Sequence, residues 1–481
     1  MIHKHLKVEF ITPSTIVHSI FNEIVSTNGC VEIMDPVCPL DYRYGRKEIK
    51  DIFGEEKRLQ YLLTVEAALA RAHAKVGNIP QEAADEITAK ATIKKVKVSR
   101  VKEIEKETKH DIMAVTKALA ELCTGDAGKY IHLGATSYDI VDTANALQFV
   151  EATSIISTQL KQLRKALVSL AKKHRKTVML GRTHGQHTIP MTFGLKMAGY
   201  AMEVDRHLER MHELKSRLFI GKLSGAVGTG AALGDHALKL QQIMLTDLKL
   251  GIEDVSTQIV CRDRYNELLG LLANIATSME KFATEIRNLQ RDEIAEVAEA
   301  FDVKKQVGSS TMPHKRNPIT SEQVSGLSRV VRSFLTPAYE NAIQWHERDL
   351  CNSSSERFII PHSLILTDWI IFKMTDVFSH LKVFPDRMKE NMKISKGLPM
   401  AESLMTMLVQ HGMGRGDAHE LMRTTALTAA AENMTLKEAF MKENSKKKLL
   451  TEEEVDFSLN PVNYLGATDE IIERVIKKLD R

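Results

Sequence analysis

The chain has 481 residues, 43% of them hydrophobic, which supplies apolar material for two to four domains with a large buried core and excludes a disordered protein. A net charge of +4, spread over both halves, excludes a nucleic-acid protein with a broad basic face but leaves room for a local pocket for a small polyanion. Five scattered cysteines (Cys30, Cys38, Cys123, Cys261 and Cys351) form no metal-type pair and read as reduced thiols of a cytoplasmic protein.

Residues 1–33 carry His3, Lys4 and His5, a broken apolar stretch with Pro13 and no small-residue cleavage site, so they read as a dispensable N-terminal extension rather than a secretory signal. Beyond them apolar residues repeat at three- and four-residue spacing, and alternating β-branched runs are scarce. The expected fold class is therefore all-α, with helical domains at 34–141, 142–385 and 386–481. In Asp41-Tyr42-Arg43-Tyr44-Gly45 an arginine suited to phosphate precedes a flat ring, although alone it is an ordinary surface turn. Lys109-His110-Asp111 and His132-Leu133-Gly134-Ala135-Thr136-Ser137-Tyr138-Asp139 are two further polar groups, and Thr136 or Ser137 can cap the helix that follows.

From 143 to about 176, apolar positions including Leu147, Phe149, Ile156, Leu160, Leu163 and Leu167 recur on one side, and 190–218 and 264–301 repeat the style. Helices of roughly 30 to 38 residues would extend about 45–57 Å. Rods of that length imply an elongated bundle and packing of bundles between subunits. Gly181-Arg182-Thr183-His184-Gly185-Gln186-His187 puts a histidine at the expected entrance of the second rod, facing a cleft; a buried, hydrogen-bonded histidine is the plainer alternative. His184 and His187 lack an intervening glutamate and a third ligand, so no metal is expected. Glycines at 221, 225, 228, 230 and 234 lack the Gly-Lys-Ser/Thr of a phosphate loop and read as a close-packed turn between helices. Ser256-Thr257-Gln258 and Arg262-Asp263-Arg264 come next.

Residues 308–318 (Gly308-Ser309-Ser310-Thr311-Met312-Pro313-His314-Lys315-Arg316-Asn317-Pro318) are the most informative stretch. Hydroxyls, an imidazole, cations and an amide are crowded onto a glycine-led segment, a make-up that can close over an anion and carry a hydroxyl with it. Asn317 reads as an N-cap and Pro318 as the first helical position, which puts Glu322 one turn into the helix. Trp345-His346-Glu347-Arg348-Asp349 precedes Ser353-Ser354-Ser355-Glu356-Arg357, where hydroxyls and a guanidinium can converge on a phosphate; the serines alone would be a solvated turn. No apolar run approaches the roughly 18 residues needed to span a bilayer, since the best, at 364–372, is interrupted by Asp368. The proline-bearing stretch 383–386 and the turn at 397–399 mark the last boundary, and the charged run 442–454 reads as solvated surface.

From about residue 41 to 410 these motifs resemble the fumarase/aspartase superfamily of lyases, in which a serine-bearing loop serves elimination of fumarate. His314 and Arg316 narrow the resemblance to adenylosuccinate lyases and carboxymuconate cycloisomerases, and Thr183-His184-Gly185 favours the former. The resemblance implies three α-helical domains, a start near Met34, and a central bundle of very long helices that assembles into the core of a homotetramer. It makes Ser309 the general base, His184 the general acid and Glu322 the partner of that acid. Lys315, Asn317 and the helix N-terminus would stabilise the doubly negative aci-carboxylate. It assigns substrate contacts to Arg43, Tyr44, Lys109, His110, Asp111, His132, Thr136, Ser137, Gln258, Ser310, Arg316, Asn317, Ser353, Ser354, Ser355, Glu356 and Arg357. Lys109 departs from the arginine frequent in bacterial relatives, keeping the charge but losing bidentate geometry. The implied substrates are small nucleotides, adenylosuccinate and the succinyl-carboxamide imidazole ribotide, with no cofactor, nucleic acid or membrane. Arg43 and the 353–357 run disfavour an argininosuccinate lyase or cycloisomerase. The intact set of Ser309, Lys315, His184 and Glu322 disfavours a non-catalytic helical scaffold.

Overall fold

The computed structural model describes residues 36–301, 311–312 and 314–480. The expected extension 1–33, Ser309 and Ser310 therefore lie outside the described residues. A short N-terminal unit ends at Tyr44 and holds helix α1 (Pro39–Tyr42), where proline at the first position sacrifices no hydrogen bond. Arg43 ends that helix, and its guanidinium lies 5.9 Å from the Tyr44 ring centre. Gly45–Arg481 forms one unit.

Within it, α2 (Lys47–Phe53), α3 (Glu55–Lys75), α4 (Gln81–Lys90), α5 (Val98–Thr108) and α6 (Asp111–Ala120) lead to the 37-residue helix α7 (Ser137–Lys173). This rod starts six residues earlier than its apolar pattern, because Thr136 and Asp139 form a capping box that defines its first turn. Its buried face carries Phe149, Ile156, Leu160, Leu163 and Leu167. It packs on α8 (Phe193–Leu218) and on the 30-residue α13 (Cys351–His380); α10 (Asp263–Leu289) packs on α8, α11 (Ile319–Ser333) and α13. Each fully buried aliphatic side chain on these faces contributes about 1.5–3 kcal/mol. Tyr200 stacks on Phe282 at 4.2 Å, and Phe378 meets Phe282 edge-on at 6.2 Å, locking α8, α10 and α13 together.

The second rod does not begin at Pro190. Val178–Thr183 (β1) and Gln186–Thr192 (β2) form an antiparallel hairpin, and Pro190 sits within β2. The helix starts only where the Thr192 hydroxyl accepts the Leu195 amide at 3.1 Å. The third rod ends at Leu289 rather than near 301, and a turn leads into β5 (Val297–Ala298), which pairs with β6 (Lys382–Val383). Two-residue strands β3 (Ile220–Gly221) and β4 (Gly251–Ile252) pair in parallel beside the glycine run. That run is a close-packed turn, as expected: a Cβ on Gly228 would stand 1.9 Å from the Ser256 carbonyl oxygen.

Helix α13 departs from the membrane expectation. It is long and apolar enough to cross a membrane by length and composition, with 61% of its most apolar window buried in the fold. Asp368, which breaks the run, is fully buried and accepts two hydrogen bonds from Arg46 at 2.8 and 2.7 Å. Burial pushes the Asp368 carboxyl up, against the opposing pull of Arg46. After α14 (Pro385–Ile394), a separate small core gathers Leu404, Leu408, Met422, Leu436, Phe440 and Val455 from the C-terminal helices.

Candidate active site

A cleft of about 830 Å³ opens where the start of α6, the start of α7, the 256–258 stretch and the start of α13 converge. Lys109, His110, Asp111, Thr136, Ser137 and Gln258 line it together with Ser353 and Arg357. Residues expected from four separate motifs therefore meet in one concavity. The His110 Nδ1 accepts the Met113 amide at 3.3 Å as the cap of α6, which leaves Nε2 to carry the proton 3.5 Å from the Ser137 hydroxyl. Asp111 accepts from Arg357 at 2.8 Å, and Lys109 adds a cation from a left-handed C-cap of α5.

Arg348, although inside a motif singled out by sequence, is absent from the expected contact list, yet it is the best-prepared cation here. Its Nη1 donates to Gln258 at 2.9 Å, its Nε to the Asp349 carbonyl at 2.9 Å, and its guanidinium lies 3.4 Å from the Tyr138 ring centre. Its Nη2 is buried and has no hydrogen-bond partner among the described residues. A buried guanidinium N–H without an acceptor is costly and marks where an anion would be taken. Behind the cleft a second cavity of about 330 Å³ shares Asp111, Tyr138, Ser353 and Arg357 and adds Arg58. Burial and the nearby Arg357 charge lower the Arg58 guanidinium from its ordinary value. Under the floor, Arg262 bonds Asp142 (2.9 and 2.9 Å) and Glu356 (2.7 and 3.2 Å), all three buried.

A second set of expected residues lies elsewhere. His184 and Gly185 occupy the two tip positions of the β1–β2 hairpin with φ of +54° and +76°, the two-residue turn that demands positive φ at both places. The exposed imidazole therefore projects from a hairpin tip and not from a helix entrance. The base of the hairpin is fixed: Arg182 donates to buried Glu296 at 3.0 and 2.7 Å, and His187 Nδ1 meets the Ser395 hydroxyl at 2.7 Å. Burial, aided by the Arg182 charge, pushes the His187 imidazole down. Lys315, Arg316 and Glu322 are exposed, and Asn317 half-buried, around the start of α11.

Residues 42–333 match the lyase family, and residues 397–475 match the adenylosuccinate lyase C-terminus. The chain is 52% identical over 444 residues to the adenylosuccinate lyase of Pyrococcus abyssi, covering 92% of this chain and 98% of that one. The chain belongs to the adenylosuccinate lyase family. Its fold is also similar to that of a fumarate lyase from Mesorhizobium sp. BNC1, with a TM-score of 0.83 and 32% identity over 90% of this chain and 98% of that one. The 3-carboxy-cis,cis-muconate lactonizing enzyme from Pseudomonas putida gives 0.83 and 31%, covering 92% and 99%.

Against this family background, several expected contacts are corrected by the geometry of the single chain. His132 does not line either cavity; its imidazole donates to buried Glu66 at 2.7 Å. Ser353–Arg357 is not a turn but the first turns of α13, so its side chains diverge. Ser353 and Arg357, four apart, share the cleft face. Ser354 does not line it, Ser355 accepts from Asn341 at 3.1 Å, and Glu356 lines the second cavity while bonded to Arg262 and Asn352. Pro318 is the N-cap of α11 and not its first helical residue, so Asn317 is not the cap. Nor is that N-terminus open to a substrate carboxylate: Glu299 already accepts the Thr320 and Ser321 amides at 3.2 and 2.7 Å. Arg316 lies against the Phe301 ring at 5.4 Å. Glu322 and His184 form no hydrogen bond or ion pair with each other in this chain, as seen among the described residues. The position of Arg43 and Tyr44 belongs to the N-terminal unit alone. Beyond Arg348, the residues missed by sequence reasoning include Tyr138, Arg58, Glu105, and Ala226 and Val227 of the glycine run. Tyr138 and Arg348 stand inside motifs already singled out; Arg58, mid-helix on α3, carries no sequence signal.

Proposed function

We propose that this cleft is where fumarate is eliminated from adenylosuccinate, giving AMP, and from succinyl-aminoimidazole-carboxamide ribotide. As a family member the chain is a carbon–nitrogen lyase of purine and AMP biosynthesis. The observation that carries the cleft assignment is Arg348: a half-buried guanidinium over the Tyr138 ring, whose buried Nη2 has no hydrogen-bond partner among the described residues, is prepared for a phosphate beside Ser353 and Arg357. Lys109, His110, Thr136, Ser137 and Gln258 then face the succinyl end.

The elimination needs a base for a weakly acidic C–H next to a carboxylate and an acid for the departing nitrogen. Ser309 is the base and His184 the acid, with Glu322 as its partner. The developing oxyanion is stabilised by Lys315 and Asn317, since Glu299 occupies the first amides of α11. The separation of the His184 tip from the cleft supports a homotetramer in which each site draws residues from more than one chain. Domain limits at 34–141, 142–385 and 386–481 are kept as the proposed division, although α7, which begins at Ser137, runs across the first limit; the separate C-terminal core supports the last, and the protein is assigned to the cytoplasm. Incubation with adenylosuccinate should remove the substrate's absorbance; an unchanged spectrum with folded protein would refute the activity.

A further inference from the structure

The segment 290–299, which follows α10 and precedes residues 308–318 in the chain, makes polar contacts with both elements that carry the proposed acid and base-side residues. Glu296 is fully buried and holds Arg182, two residues from His184, through two hydrogen bonds. It also accepts from Asn391 at 2.9 Å, while its carbonyl accepts the Phe384 amide at 3.0 Å beside the β5–β6 pair. Three residues on, the Glu299 carboxylate takes the Ser321 amide at 2.7 Å, the Ser321 hydroxyl at 2.5 Å and the Thr320 amide at 3.2 Å. Helix α11 has no side-chain cap of its own, so Glu299 supplies one from a distant stretch of chain. Gln290 ties the two stems together: its Oε1 accepts the Glu299 amide at 2.9 Å and its Nε2 donates to the Arg316 carbonyl at 3.0 Å.

None of these three side chains lines either cavity. Burying Glu296 with Arg182 is an inefficient way to stabilise a fold, because a well-packed apolar pair would serve as well. What the arrangement does supply is geometry. One ten-residue segment fixes the base of the His184 hairpin at one point and the start of α11, with Lys315, Asn317 and Glu322, at two others. Misplacement by about 1 Å at a reacting group can cost on the order of 100-fold in rate. We propose that Gln290, Glu296 and Glu299 are positioning residues for the elimination: Glu296 orients the acid hairpin, and Gln290 with Glu299 orient the base-side segment 315–317, whose Lys315 and Asn317 stabilise the oxyanion formed by proton abstraction. This rests on the catalytic reading given above.

Gln290→Glu and Glu299→Gln test it, because both keep side-chain shape. The first retains an acceptor for the Glu299 amide but turns an anionic oxygen toward the Arg316 carbonyl; the second removes the charge and part of the accepting capacity at α11. The readouts are kcat, KM, melting temperature, oligomeric size, and the deuterium isotope effect on kcat with adenylosuccinate labelled at the carbon that loses its proton. Expected are a fall in kcat of about 10- to 100-fold, KM within about twofold, and a larger isotope effect than wild type as proton abstraction becomes more limiting. Glu296→Gln, acting on the acid side, should lower kcat without raising the isotope effect. Wild-type kcat in either base-side variant, a kcat loss with an unchanged isotope effect, or failure of both base-side variants to fold would each overturn the proposal. Ser309→Ala and His184→Ala serve as references. If they stay active, the catalytic reading fails; if they are dead while Gln290→Glu and Glu299→Gln run at wild-type rate, only the positioning proposal fails.

Discussion

The cleft and the hairpin edge of the same chain are built in opposite ways. In the cleft, Asp111, Thr136, Ser137, Gln258 and Arg348 are half-buried beside exposed Lys109, His110 and Arg357, in a concavity next to the buried Arg262–Asp142–Glu356 cluster. At the hairpin edge the bracing is just as deep, with Glu296 fully buried, but the side chains it braces point outward: His184, Lys315 and Glu322 are exposed. Buried support beneath a bare tip is wasteful unless something covers the tip. The contrast is what the proposed division would leave on one chain: a substrate-binding half-site in the cleft and a catalytic half-site at the hairpin edge.

The sharpest way to break that division is to separate the halves genetically. His184→Ala should lower turnover by about 10²- to 10⁴-fold with little change in melting temperature. Arg348→Ala should cripple the other half when substrate is kept well below the variant's raised KM, and turnover of the mixtures is measured there. If the halves belong to different chains, mixed oligomers of the two variants contain some sites with both intact residues and regain a measurable share of wild-type turnover. Mixtures no better than their parents would return both halves to one chain.

A comparable free-energy effect is expected under the cleft floor, where Arg262 is the shared partner of two buried carboxylates. Arg262→Met leaves Asp142 and Glu356 facing each other without a cation, and breaking such a cluster costs about 3–5 kcal/mol. Chemical denaturation should register the loss as a lower midpoint with an unchanged slope. Disrupting the hairpin's Arg182 by the same logic should be felt first in turnover. An Arg262 variant of wild-type stability would mean that the cleft is not braced as described.

These two regions also differ in how much of them was legible in the sequence. Helical periodicity gave the rods, and the capping signals of Thr136 and Thr192 explain why two of them start where they do. The hairpin was not legible: Pro190 ahead of an apolar pattern looks like a helix start, and the turn at His184-Gly185 needs two positive φ values that a His-Gly pair only hints at. The cleft's chemistry was legible as motifs, since Lys109–Asp111, Thr136–Ser137 and Ser353–Arg357 each carry local polar signatures. What those signatures hide is direction. On a helix, consecutive Ser353, Ser354, Ser355 and Glu356 face different ways, so only members three or four apart can share a pocket. Glu299 capping α11 from another stretch of chain is a contact between distant residues that no local pattern encodes.

Within the binding half, Arg348→Ala should raise KM by roughly 10- to 100-fold, as expected for loss of a charge-assisted hydrogen bond worth about 1.5–3 kcal/mol. Arg348→Lys should recover little, because an ammonium cannot stack on Tyr138 while bonding Gln258. A variant with normal KM but reduced kcat would move Arg348 from the binding half to the chemical one.

The smallest effect separates His132 from both halves. Burial alone would push its imidazole down, but the hydrogen bond and charge of Glu66 outweigh this and the folded value lies above the ordinary 6.5. Folding therefore favours the protonated imidazole. The stabilisation is fully present below pH about 6.5 and disappears as pH rises through the elevated folded value. The gap in unfolding free energy between wild type and His132→Gln should accordingly be widest in mild acid and close toward alkaline pH. A gap that stays constant across that range would mean the imidazole is bound as a neutral donor, and His132 would then hold Glu66 by shape and hydrogen bonding rather than by charge.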